Sequence, residues 1–418
     1  MRAHTPFFRI LLVLAALAAV PRWAMTQETT GAAEGRDDAV LRQTARGPAA
    51  DRVDAAALER LLDEAARTHS DALVVLLDGE LVGAWYSAAG PRRIESMSVT
   101  KSIVNLAVGR LVTLGRIPSV DVPVSAFYPE WNTGRKAKVT LRHLMNHTSG
   151  IAAKQSTAEI YASDDFVRLA LDAEITSEPG TVFFYNNKAV NLIAGIVEKS
   201  AGKRMDLFLR DDLFAHLGIA DFGWSLDRAG NPQAMAGLQI RAEDLARLGQ
   251  LVLQRGEWNG EQLLDEAWFD ESLRPSAPNP GAGLLWWLMP SDIAVVIDDS
   301  SLARLRDAGV DPTFVARAEG ARGRYASGEE LGQALAEAFG EDWRTAVRTA
   351  LEPHGLSLHR IEIGEILGIN ANGYLGQYLV IYPAKKLVAV RMIEATKDFD
   401  QATDDFQSFM ELVYALVP

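Results

Sequence analysis

Ile94-Glu95-Ser96-Met97-Ser98-Val99-Thr100-Lys101-Ser102, residues 94–102, is the stretch on which the fold is decided. The apolar residues Val99, Ile103, Leu106, Ala107 and Leu111 recur at helical spacing, which predicts a helix that starts at Ser98. Positions i and i+3 share a helix face, so the Ser98 hydroxyl and the Lys101 amine lie side by side. At the first turn, free backbone N–H groups and the positive end of the helix dipole favour negative charge on the serine oxygen. A serine needs help to ionise, and a lysine whose pKa is lowered by burial and neighbouring positive potential takes its proton. Taken alone, Ser three residues before Lys is a common coincidence, and a capped, solvated helix start accounts for it better.

The flanking sequence supplies the frame. Residues 53–68 carry Val53, Ala56, Ala57, Leu61, Leu62 and Ala65 on one 3.6-residue stripe, a helix. Residues 72–86 are two apolar runs split by Asp78-Gly79, a hairpin signal because both turn positions need positive φ. Near the other end, residues 378–382 and 387–393 flank Pro383-Ala384-Lys385-Lys386 as a second hairpin, and an amphipathic helix covers about 399–417. Helix, hairpin, a long helical middle to about Gln254, hairpin and helix is the order of an α+β protein. Its ends build one antiparallel sheet flanked by helices, and its middle forms a helical lobe. A cleft between such lobes is a common place for a site. Residues 290–366 are charged, Ala-rich and mostly helical in pattern, and are read as an inserted helical subdomain.

Two further stretches carry candidate chemistry. Phe183-Phe184-Tyr185-Asn186-Asn187 lies between the turn signal Glu178-Pro179-Gly180-Thr181 and a helix over 189–200 that Gly202 stops. Tyr185 and Asn187, two apart on a loop, can face one cavity. There a tyrosine hydroxyl relays a proton and an amide orients a lysine and a substrate carbonyl. A core tyrosine with an Asn helix cap fits the same letters. Ala371-Asn372-Gly373-Tyr374-Leu375-Gly376-Gln377 leads into the second hairpin. Gly373 permits close backbone approach to a ligand, and a backbone N–H on this strand can join that of Ser98 as a two-donor oxyanion hole. A plain strand bend is the alternative.

Bulk properties narrow the function. Among 418 residues, 42 basic and 55 acidic side chains give a net charge of −13, and 48% of residues are hydrophobic. A sizeable core is available, and the charge argues against nucleic acid as a partner. With no cysteine, disulfides, thiolate nucleophiles and thiolate metal sites are excluded. His143 and His147 stand four apart without the glutamate of an HExxH site, and are read as shaping a helix end and the turn after it. No metal is assigned. Arg2 and Arg9 before the apolar run 10–20 read as a signal peptide over 1–26, with an uncleaved membrane anchor as the alternative. Residues 27–52 read as a loose linker and 53–418 as the catalytic domain. No other segment is long and apolar enough to span a bilayer, so the mature protein is expected in the periplasm or secreted.

These stretches, in this order, resemble the serine β-lactamase and penicillin-binding protein superfamily. The likeness is closest to its class C-like branch of esterases, D-peptidases and 6-aminohexanoate-dimer hydrolases. Ser98-Val99-Thr100-Lys101 is similar to the branch's nucleophile motif, and Tyr185-Asn186-Asn187 to its Tyr-x-Asn. Residues 139–151, containing Arg142-His143-Leu144 and His147-Thr148-Ser149-Gly150, and residues 243–249 follow the same plan. The resemblance covers about 55–290 and 367–417. It implies that Ser98 is acylated, that Lys101 is its base and that Tyr185 assists proton transfer to the leaving group. It further implies that Asn187 holds Lys101 or the substrate, and that the N–H groups of Ser98 and Tyr374 form the oxyanion hole. No metal or organic cofactor is required.

One departure bears on the substrate. Where the branch usually has Lys-Thr-Gly or His-x-Gly, this chain has Ala371-Asn372-Gly373. Neutral Asn372 offers no cation to the carboxylate of a β-lactam or of a C-terminal peptide. The expectation is therefore an exported hydrolase of small esters or amides, with Asn187, Asn372 and Gly373 binding substrate. A D-peptidase or β-lactamase acting on short cell-wall-like peptides or β-lactams is the second reading. A binding protein that keeps the fold without turnover is the third, and the joint presence of Ser98, Lys101 and Tyr185 speaks against it.

Overall fold

The computed structural model describes residues 41–44, 47–395 and 399–418; the expected signal peptide lies outside them. Seven strands form the central sheet: β1 (Leu41–Thr44), β2 (Ala72–Leu77), β3 (Glu80–Tyr86), β4 (Trp287–Pro290), β5 (Ile366–Gly373), β6 (Gln377–Tyr382) and β7 (Leu387–Met392). Their order is β1-β3-β2-β7-β6-β5-β4. The two hairpins read from the sequence are present. Asp78 and Gly79 both take positive φ in the first, and the second turns through Pro383–Lys385 with Lys386 left-handed.

Alternation across the strands decides which face each helix covers. Gly83, Val75, Ala389 and Val380 stand opposite one another along the ladder, so they point to one face. The helix α1 (Ala55–Arg67) lies there, with Leu58 against Gly83, where an added Cβ would sit 2.8 Å from its Cδ1. The helix α4 (Ala242–Leu253) covers the other face, where Gly249 packs into Leu379 and Val388. Its Glu243 accepts a hydrogen bond from the Tyr86 hydroxyl at 2.7 Å. The helix α2 (Thr100–Thr113) is buried on every side from Thr100 to Leu111, the signature of a helix inside a lobe. It packs against α3 (Asn187–Ala201) and against Trp268, whose Nε1 donates to Asn105 Oδ1 at 3.2 Å.

Three expectations are corrected. Residues 41–44, read as linker, pair with Gly83–Tyr86 as an edge strand; backbone pairing drew in a segment whose composition looked loose. The terminal helix over 399–417 is two short helices, Gln401–Asp404 and Phe409–Tyr414. Asp405 takes an extended backbone between them. Pro290–Leu367 forms a compact unit of its own, but it is not purely helical. Ile293–Ile297 runs between Gly323–Tyr325 and Arg360–Ile363 in a three-stranded antiparallel sheet. Leu302, Leu305, Phe314, Leu335 and Phe339 form this unit's core. Among the described residues no helix is long and apolar enough to cross a membrane.

One fully buried cation ties the sheet to the chain end. Arg391 of β7 donates to Ser70 Oγ, Leu375 O, Gly376 O, Thr68 O and Asp404 O at 2.7–2.9 Å. A guanidinium has five N–H groups, and all five are used. Two of them hold the turn that follows β5, in which Leu375 and Gly376 take φ of 71° and 77°, and the other three tie β7 to residues 68–70 and to Asp404. Arg391→Met keeps the bulk but strands five oxygens. It is expected to cost about 3–5 kcal/mol of unfolding free energy, measured by urea denaturation.

Candidate active site

The turn that delivers Ser98 is strained and held from two sides. Met97 takes φ +49°, a left-handed conformation rare for a side chain of its size. Ser96 N–H donates to Leu238 O at 2.8 Å, and the Ser96 and Thr100 hydroxyls lie 3.1 Å apart. A single 3-10 turn, Met97–Val99, then leads into α2. Ser98 thus sits just ahead of the α-helix and not on it, but the three-residue step still brings Lys101 alongside. Lys101 Nζ donates to Ser98 Oγ at 2.8 Å and to Met235 O at 2.6 Å. Burial lowers the Lys101 pKa from its ordinary 10.5 to about 7.

Tyr185 comes from the loop before α3. Asn186 fixes that loop: its Oδ1 caps α3 by accepting from Ala189 N at 2.9 Å, and its Nδ2 donates to Ile151 O at 2.7 Å. His147 supports the loop from beneath. Its Nδ1 accepts from Asn186 N at 3.1 Å, and its ring packs 4.6 Å from that of Tyr185. An accepting Nδ1 must be unprotonated, in keeping with a pKa pushed down to about 3 by burial and then by Lys101. The other side of Tyr185 stacks on Trp287 with ring centres 6.0 Å apart. Burial pushes the Tyr185 phenol up to about 12, opposed by its hydrogen bond with Ser98. The Lys101 ammonium lies 5.0 Å from the centre of the Tyr185 ring.

The third stretch closes the site. A Cβ on Gly373 would stand 2.8 Å from Ser96 O and 2.9 Å from Ser98 N, so only glycine permits the strand to lie this close to the Ser98 turn. Asn372, Ser98, Lys101, Tyr185 and Trp287 line one narrow cavity of about 20 Å³. Tyr374 lines a second cavity, together with Asn372 and Gly373.

Asn187 is where the expectation divides. Lys101 turns to Ser98 and Met235 and not to Asn187, whose Oδ1 is buried without a hydrogen-bond partner. As the first residue of α3, Asn187 has its backbone fixed by the helix start, while the Met235 carbonyl reaches Lys101 first. That carbonyl is itself positioned. Asn191 Oδ1 accepts from Ala234 N and Met235 N at 3.0 and 3.1 Å. Neither Met235 nor Asn191 was visible as a site residue: a main-chain acceptor has no signature in sequence, and Asn191 sits in an ordinary helical pattern. His143 supplies the capping box of Leu141–Met145, as a residue that shapes a helix end does.

Because the folded chain holds Lys101 at about 7 while the unfolded chain holds it near 10.5, the unfolded state binds more protons between those values. Stability therefore rises with pH across that window. Lys101→Met removes the effect. In denaturant unfolding from pH 7 to 10, the stability of the variant relative to the native chain should fall by up to about 1.4 kcal/mol per pH unit. Parallel curves would show that the ammonium is not desolvated.

Known proteins share both the sequence and the architecture. A 6-aminohexanoate-dimer hydrolase of Paenarthrobacter ureafaciens is 28% identical over 236 residues, 52% of this chain and 59% of the relative. Esterase EstB of Burkholderia gladioli is 29% identical over 147 residues, 30% of this chain and 37% of the relative. The chain thus spans less than two thirds of the length of these relatives. The solved structure of EstCE1, a hydrolase with promiscuous acyltransferase activity, superposes with a TM-score of 0.57 at 15% identity. The superposition covers 86% of this chain and 98% of that one, a likeness of fold. The family model for Beta-lactamase matches residues 55–409, and the chain is a member of that family of serine hydrolases.

Proposed function

We propose that this protein is an exported esterase or amide hydrolase that works through an acyl-enzyme on Ser98. The observation that carries the reading is the 2.8 Å bond between Ser98 Oγ and a buried lysine whose pKa lies at about 7. Export rests on the N-terminal signal-like sequence.

The assignment of acid and base follows from the two pKa values. Lys101, at about 7, is largely able to accept a proton at neutral pH, whereas Tyr185, at about 12, keeps its own and can only donate. Neutral Lys101 takes the Ser98 proton as Oγ attacks the substrate carbonyl. The oxyanion that forms is met by the N–H groups of Ser98 and Tyr374. Tyr185, hydrogen-bonded to Ser98, passes a proton to the departing alcohol or amine, drawing on the one that Lys101 holds. Water then attacks the acyl-Ser98 ester, its proton moving to Lys101 and from there to Oγ as the acyl–Oγ bond breaks, which frees the acid and restores Ser98 and neutral Lys101.

Neutral substrates fit the strand. Asn372 Nδ2 turns toward Asn370 Oδ1 at 3.5 Å, and this position carries an amide where a cation would grip a carboxylate. The names of two relatives, an esterase and a 6-aminohexanoate-dimer hydrolase, support the hydrolysis of small esters or amides.

A fluorophosphonate probe should label the native chain and not Ser98→Ala; equal labelling of both overturns the nucleophile. With p-nitrophenyl esters, kcat/KM should rise with pH through about 7 as Lys101 loses its proton. The rise should be absent in Lys101→Ala. Tyr185→Phe should lower kcat by roughly 10²–10⁴-fold. A clear preference for a chromogenic cephalosporin over these esters would favour the β-lactamase reading instead.

A further inference from the structure

Beyond the strand that faces Ser98, a second cavity of about 160 Å³ opens along Asn372, Gly373 and Tyr374. Asn372 lines this cavity and the one around Ser98, so the two lie on either side of one β5 residue. The walls of the second are aromatic. Tyr374, 62% exposed, and Phe399 face each other with ring centres 6.2 Å apart, and Tyr378 lies at the base. Asp405, in the extended link between the two C-terminal helices, contributes a carboxylate.

The surroundings of that carboxylate are the informative part. Asp405 Oδ1 accepts from the Tyr378 hydroxyl at 2.9 Å. Among the described residues no cation reaches it within ion-pair distance. The nearest buried cation, Arg391, acts on it through the core, but all five of its N–H groups are taken by other oxygens. A carboxylate with no ion-pair partner among the described residues, set beside aromatic rings, is the chemistry that receives an organic cation. The net charge of −13 adds attraction for cations and repulsion for anions.

We infer that this cavity is a subsite for a cationic end, an ammonium, quaternary ammonium or guanidinium, of the substrate cleaved at Ser98. The inference rests on the hydrolase reading for its link to turnover and on the cavity alone for binding. It also gives Asn372 a consistent sense: a lysine there would stand on the approach to Asp405 and repel the group that the subsite takes.

The test uses two matched pairs of esters. In one pair the alcohol is choline or its carbon isostere, with tert-butyl in place of trimethylammonium; in the other the same exchange is made on the acyl side of a p-nitrophenyl ester. In at least one pair kcat/KM for the cationic ester should exceed that for the neutral one by about tenfold at low salt. The ratio should fall toward one in Asp405→Asn, which keeps an acceptor for Tyr378, and at high ionic strength. Choline alone, titrated by calorimetry, should bind the full chain and bind Asp405→Asn more weakly. Ratios near one in both pairs with neutral esters still cleaved, or a preference that Asp405→Asn retains, overturn the subsite and leave the hydrolase reading standing. Asp405-dependent binding of choline without cleavage of any ester supports the subsite and overturns the hydrolase reading instead.

Discussion

The site depends on one close approach, that of the Gly373 backbone to the turn Ser96–Ser98. The sheet and the helical lobe each carry half of what the chemistry needs. The Met97–Val99 turn ahead of α2 brings the hydroxyl, α2 brings the amine, and β5 brings Gly373 against that turn. The two halves meet where a Cβ would stand within 2.9 Å of Ser98 N. The contact comes with strain at Met97, at φ +49°, and the turn after Gly373 is held by two of the five hydrogen bonds of Arg391. A core arginine two strands from β5 in the sheet thus bears on the turn that follows Gly373. Stability and site geometry are linked through the same few backbone atoms.

Around that contact the electrostatics are set by exclusion of water more than by neighbouring charge. Among the described residues no carboxylate is bonded to Lys101; its partners are a hydroxyl and a carbonyl. An acid at that distance would raise the lysine pKa and make it a poorer base. Burial alone lowers it, and the carbonyl of Met235 orients the amine without holding its proton as an anion would. Tyr185, set between His147 and Trp287, is shielded by the same means and displaced in the opposite direction, because its charged form is the anion. One dry environment therefore separates two groups into a base near neutrality and a donor that stays protonated.

What was legible in the sequence follows from what side chains and periodicity record. The hairpins at Asp78-Gly79 and Pro383–Lys386 were legible because their turns require particular residues. Ser98, Lys101, Tyr185 and Gly373 were legible as a set only through the resemblance of three stretches, in order, to a known family, since each spacing alone has a plainer explanation. Met235 was not, since its contribution is a carbonyl that any residue supplies. The pairing of residues 41–44 was hidden for a related reason: an edge strand is recruited by the backbone of β3 and needs little of its own sequence. The break in the C-terminal helix was hidden because residues 399–417 keep a helical pattern across it. Asp405 leaves that pattern to bond Tyr378, a tertiary contact that outweighs local propensity.

That break has a chemical consequence. In a continuous helix Asp405 would be one more solvated acid on a polar face. Drawn out between two short helices, it is held by Tyr378 at the edge of a cavity that begins at the catalytic strand. The neutral triplet Ala371-Asn372-Gly373 and the acidic residue beyond it then act in the same sense. A carboxylate-bearing substrate meets no cation on β5 and a fixed anion past it, while a neutral or cationic one meets neither repulsion. Selectivity of this kind needs no close complementarity to a single molecule. It is a sorting of substrates by charge, set beside the proposed nucleophile, whose own neighbours are indifferent to what lies two or three bonds from the carbonyl.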